Sequence, residues 1–223
     1  MANAWPLHPG REIPVNDLET IAEAIRARLV AKNAAREAAL TMSRELVRHC
    51  ANSIRAVHRG EFAAATQLLA TAWGIVQQLA GDLAPHPDIY DAGYVQDALK
   101  EFAEAKLVYA LVRGEPLPDP AALRLSDAAY LNGLGEATGE LRRYILDALR
   151  RGQPARSEEI LQAMDDIYGL LVTMDFPDAI TGNLRRTTDV VRGIMEKTRG
   201  DLTYALRQQE LEAALHDLEG KLT

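Results

Sequence analysis

From residue 15 to residue 59 the chain contains neither glycine nor proline, and most of its residues there favour helix. Strands rarely exceed ten residues, so residues 14–59 are predicted as one helix or a broken pair, far beyond the ~11–12 residues of an average helix. Asn16 is placed to cap it, Glu19 closes a capping box three residues later, and Gly60 ends it. A helix of that length needs lateral support, which calls for a bundle.

Glycine and proline punctuate the rest in the same way. A second helix is expected over 61–80, stopped by Gly81 and the proline-bearing stretch 84–88. A third covers 89–112, ended by Gly114 and then Pro116, Pro118 and Pro120. A short apolar turn, 121–125, leads to Ser126 as the N-cap of a fourth helix over 127–151, closed by Gly152. Pro154 opens a fifth over 155–174, and the stretch 177–182 separates a last helix over 183–218. Residues 1–14 hold three of the ten prolines and read as an irregular arm. With linkers this short and no internal repeat, 15–223 is expected to form a single all-α domain.

Apolar residues make up 48% of the chain, enough for a real core, while aromatics supply only 5% and stretches rich in Val, Ile and Thr are few. The single cysteine, Cys50, excludes an internal disulfide, fits a reducing cytoplasm, and is expected as a buried packing residue. No stretch approaches 18 apolar residues without charge, and the first residues lack a secretory pattern, so neither a membrane span nor a signal peptide is expected. A net charge of -7 excludes coating nucleic acid through bulk charge, but leaves room for a local basic patch.

Such a patch has a candidate. Arg44, Arg48, Arg55 and Arg59 fall at about 0°, 40°, 20° and 60° around the first helix, with His58 at about -40°. That narrow face could track phosphates, and it could equally be the solvated face of an amphipathic helix. Arg185, Arg192 and Arg199 repeat every seven residues on the last helix, as an exposed or intersubunit face would.

Two carboxylate groups are candidates for chemistry. Glu101 and Glu104 are three apart on the third helix, with Asp97 one turn earlier, and Glu136 and Glu140 are four apart on the fourth. Like charges so placed weaken a helix by ~0.2–0.5 kcal/mol. Acids converging from two helices suit a hard divalent cation such as Mg²⁺, although pairs like these are also common on solvated faces. Gly133, Gly135 and Gly139 surround Glu136, and each costs a helix about 1 kcal/mol relative to alanine. A close helix crossing or a ligand would account for them.

These segments resemble the translin/TRAX family. The stretch from Met42-Ser43-Arg44-Glu45 to Val57-His58-Arg59-Gly60 is similar to its first-helix signature. Tyr130-Leu131-Asn132-Gly133 followed by Thr138-Gly139-Glu140-Leu141 resembles its central motif, and Asp166-Ile167-Tyr168-Gly169 with residues 184–199 resembles its C-terminal part. The resemblance implies a bundle of about seven helices that assembles into a closed homo-oligomer, an octamer in the family, and binds single-stranded RNA and DNA. It further implies a TRAX-like, Mg²⁺- or Mn²⁺-dependent endoribonuclease. Glu101, Glu104 and Glu136 would be its catalytic acids and metal ligands, Glu140 a further ligand, and Arg44, Arg48, Arg55 and Arg59 nucleic-acid contacts. Glu136 stands where the family carries aspartate, and the alternative is a translin-like oligomer that holds RNA or DNA without cutting it.

Overall fold

The computed structural model describes residues 16–222, with side chains from 18 to 221. The expected arm over 1–14 and the Asn16 capping side chain lie outside the described residues. Within them there is no strand. The helices are α1 (Asn16–His58), α2 (Phe62–Asp82), α3 (Pro87–Tyr90), α4 (Gly93–Arg113), α5 (Asp127–Arg150), α6 (Pro154–Val172), α7 (Asp178–Thr181) and α8 (Leu184–Leu222).

Most boundaries fall where glycine, proline and caps predict them. Gly114 takes the left-handed φ of 68° that closes α4, a conformation open to a residue without Cβ. Ser126 Oγ accepts the Ala129 amide at 3.2 Å and starts α5. The expected helix over 89–112 is instead broken: Ala92 is extended (ψ 142°) between the single turn α3 and the start of α4. Gln96 ties the break together by donating to the Tyr90 carbonyl at 3.0 Å. Gly182 and Asn183, both at positive φ, turn the chain from α7 into α8.

α4 lies at the centre, packed by α1 on one side and α5 on the other, and α5 in turn carries α6 and α8. Its buried residues, among them Val95, Leu99, Phe102, Ala103, Leu107 and Val108, point in several directions around the axis, as a helix enclosed by neighbours requires. Trp73 of α2 stacks on Phe102 with centroids 6.1 Å apart. Support along α1 is partial, contrary to expectation. Its first buried residue is Ala39, preceded by Ala35, which packs partly against the core, and by Lys32, which pairs with Asp88 of α3 at 2.5 Å. The described side chains before Lys32 are all exposed. The last buried residue described in α8 is Leu202, with Ala205, Leu206 and Gln209 half-buried after it. No described helix is long and apolar enough to cross a membrane.

Candidate functional site

The glycines around Glu136 build the site. A Cβ on Gly133 would stand 2.7 Å from Ala103 Cβ, 2.8 Å from the Lys100 carbonyl and 3.0 Å from the Glu104 amide nitrogen. Gly133 therefore lets α5 lie directly on the turn of α4 that carries Glu101 and Glu104. Gly135 does the same toward α8, where a Cβ would collide with the Thr187 methyl. Of the two explanations open from sequence, a close helix crossing accounts for both. Gly139 has no such neighbour, with Ile194 Cδ1 4.0 Å away.

One turn after Gly133, Glu136 meets the α4 pair. Carboxylate oxygens of Glu101, Glu104 and Glu136 all lie within 4.8 Å of one another, and all three side chains are half-buried. The longer side chain at 136 does not keep it from the pair. The cluster forms one wall of a pocket of about 980 Å³, which α7 and the first turns of α8 close with Ile180, Arg186 and Val190. Asn132 fastens these walls together. Its amide donates to the Thr181 carbonyl at 2.7 Å, and its oxygen accepts the Thr187 hydroxyl at 2.7 Å.

The three acids repel one another in a partly dry place. Burial, then the charges of Glu101, Glu136 and Glu140, push the Glu104 carboxyl up to about 8. Glu101 is raised by burial and by Glu136. Lys100 donates to Glu136 Oε1 at 2.7 Å. Burial works to lower the Lys100 ammonium, but that hydrogen bond and the charges of Glu136, Asp97 and Glu101 outweigh it and hold it above its ordinary value.

Glu140 is placed differently from the other three. Its Oε2 pairs with His58 Nε2 at 2.5 Å, and with Arg143 at 3.9 Å. The hydrogen bond from His58 prevails over burial and lowers its carboxyl below the ordinary range. His58, read in sequence as a neighbour of the arginine stripe, in fact turns inward, its side chain 3% exposed. Cys50 is buried as expected, and burial followed by the charges of Glu101 and Glu104 pushes its thiol up.

Arg44, Arg48 and Arg55 on α1, and Arg59 in the turn that follows it, are all exposed. Arg48 pairs with Glu45 at 3.5 Å, Arg55 donates to Asn52 at 2.6 Å, and Arg59 forks onto Glu61 at 2.6 and 2.9 Å. None of the four lines the acidic pocket. Arg185, Arg192 and Arg199 are also exposed, and are paired with Asp175, Asp189 and Asp165. Two pocket residues have no sequence signal of their own. Lys100 sits beside the glutamate pair and Arg186 beside Arg185, and only the crossing of α4, α5 and α8 gives either a role.

No family model matches the chain. A protein of Methanocaldococcus jannaschii, described as uncharacterized, is 31% identical over 188 residues, 84% of this chain and 83% of its own length. Two solved structures of an archaeal C3PO, AfC3PO, one alone and one in complex with duplex RNA, are 35% and 34% identical. Both have a TM-score of 0.78 and cover 84% of this chain and 97% of theirs. The apo form of the Neurospora C3PO, 19% identical, shares the fold at a TM-score of 0.74 over 88% of this chain and 100% of its own. With relatives this similar over most of their length, and with the central motif folded into the crossing just described, the chain belongs to the translin/TRAX family, that of the C3PO proteins.

Proposed function

We propose that this protein binds RNA as a homo-oligomer and cuts it at the acidic pocket, in a Mg²⁺- or Mn²⁺-dependent endoribonuclease reaction. The observation that carries the reading is the meeting of Glu101, Glu104 and Glu136 within 4.8 Å, half-buried, in a pocket with room for a nucleotide. Three oxygen donors with more negative charge than Lys100 can offset suit a hard divalent cation. When bound, such an ion would supply Lewis-acid chemistry, activating water and neutralising charge at a phosphodiester. Glu101, Glu104 and Glu136 would hold it. Lys100 orients Glu136, His58 holds Glu140 beside Glu104, and the Asn132 network keeps the α7–α8 wall facing the acids.

RNA as substrate is supported by likeness to AfC3PO, which has been solved with duplex RNA. The family resemblance implies single strands, and the test below compares them with duplexes. Arg44, Arg48, Arg55 and Arg59 remain proposed contacts outside the pocket. A second reading, a holder that does not cut, is favoured by the Lys100–Glu136 ion pair, which occupies one carboxylate oxygen of the cluster.

The test is incubation with labelled single-stranded and duplex RNA, with Mg²⁺, Mn²⁺ or EDTA. Cleavage should need the ion and fall at least about 100-fold in Glu101→Gln/Glu104→Gln, the scale of losing preorganised charge at a reacting centre. Oligomer size and RNA affinity should persist in that variant. Binding without cleavage by the unaltered protein would establish the holder. No binding to any oligonucleotide at low salt would end both readings.

A further inference from the structure

The pocket contains an unused cation. Five carboxylates line it, those of Asp91, Asp97, Glu101, Glu104 and Glu136, against Lys100 and Arg186. Lys100 is committed to Glu136. Arg186 is exposed, and among the described residues its guanidinium has no hydrogen-bond or ion-pair partner. Every other arginine of α8 has one: Arg185 with Asp175, Arg192 with Asp189, Arg199 with Asp165 and Arg207 with Glu210. Val190, four residues on, shares the Arg186 face of the helix and is 54% exposed, and Ile180 of α7 beside them is 67% exposed. The pocket thus has an acidic wall on α4 and α5, and a facing wall of one free guanidinium and two bare aliphatic side chains. Thr187, adjacent to Arg186, is bonded to Asn132, which fixes the first turn of α8 against α5.

A polyanion entering a pocket with this surplus of carboxylates is repelled unless a cation receives it away from them. A guanidinium can fork onto two phosphate oxygens, and aliphatic side chains can lie against a ribose or base. We propose that Arg186 is a substrate-positioning residue, gripping a phosphate next to the one at the acidic wall while Ile180 and Val190 seat the adjoining nucleoside. The assignment rests on the RNA reading of the pocket, but does not require that the RNA be cut.

Binding of fluorescein-labelled RNA, followed by anisotropy in EDTA over a series of salt concentrations, separates the two. Arg186→Ala should weaken affinity about tenfold at low salt, as loss of a hydrogen-bonded charge does. It should also lower the magnitude of the salt slope by about 0.7, one single-strand phosphate contact. Arg186→Lys should restore the slope and only part of the affinity, because an ammonium does not fork. Arg185→Ala, one residue away and outside the pocket, should do neither. If the unaltered protein cleaves, single-turnover assays of Arg186→Ala should show a raised half-saturation with the maximal rate kept. The proposal is overturned if Arg186→Ala matches the unaltered protein in affinity and slope, or if Arg185→Ala weakens binding equally. A changed oligomer size in Arg186→Ala would also overturn it, by assigning the guanidinium to a contact between copies. If the unaltered protein binds no RNA, the functional reading falls and takes this assignment with it. If it binds without cutting, only the nuclease reading falls and the anisotropy series still decides on Arg186.

Discussion

Glu104 carries the heaviest electrostatic load in the pocket, because it is the most enclosed of the three acids and faces the charges of Glu101, Glu136 and Glu140 together. Burial and these charges push its carboxyl up to about 8 in the folded protein, against an ordinary 4.5. The folded state therefore holds an extra proton between those values. The stabilising contribution is complete below about 4.5 and is lost as pH rises through about 8. In EDTA, the urea midpoint should thus fall between pH 5 and 8.5, and Glu104→Gln should flatten that fall. Mg²⁺ should raise the midpoint most at the alkaline end, where the carboxylate is free to bind it. A midpoint that ignores both pH and the substitution would show that the cluster is relaxed and hydrated. Glu101, raised by burial and by Glu136, works in the same direction, while the lowered Glu140 loses its contribution only at more acidic pH.

The crossing of α4 and α5 is the element on which the site depends, and its glycines are not equivalent. Gly133→Ala drives a methyl group into the α4 backbone, so the two helices must move apart. Overpacking of that kind costs about 1–3 kcal/mol, and it displaces Glu136 from Glu104. Gly139→Ala makes only an ordinary van der Waals contact with Ile194 on a helix and should stabilise by roughly 0.5–1 kcal/mol. Urea unfolding of the pair checks the contrast. Equal effects would mean that the crossing is loose. Sequence marks all three positions as costly to a helix, but says nothing about which of them faces a neighbouring backbone. The break at Ala92 has only Gly93 to mark it, a glycine without positive φ or a close neighbour, and the bend is held by Gln96 from the following helix.

At the scale of the whole molecule, the first turns of α1 and the turns of α8 after Leu202 carry no buried residue among those described. Ile25, Leu29 and Val30 on α1, and Leu211, Leu215 and Leu218 on α8, recur at helical spacing and are 43–65% exposed. An apolar stripe this exposed is stable only when something covers it. Other copies of the chain would supply that cover in the proposed homo-oligomer. Leu29→Glu and Leu215→Glu should then each yield a smaller species by light scattering, with the core from Ala39 to Leu202 still folded. An unchanged mass in both variants would place assembly elsewhere.

Helix type, most helix ends and the family were readable in the order of residues. Each rests on local chemistry: a glycine at positive φ, a serine hydroxyl on a free amide, a motif of consecutive residues. The same holds for Glu101 beside Glu104, since three residues of helix bring any two side chains to one face. What the chain order could not state is how far Glu136 lies from that pair, that His58 turns from the arginine stripe to Glu140, or that Arg186 and not Arg185 enters the pocket. Those outcomes turn on the angle and depth at which α5 crosses α4 and α8 crosses α5. They are decided by Cβ-scale contacts between residues far apart in sequence, at Gly133 against Ala103 and at Gly135 against Thr187.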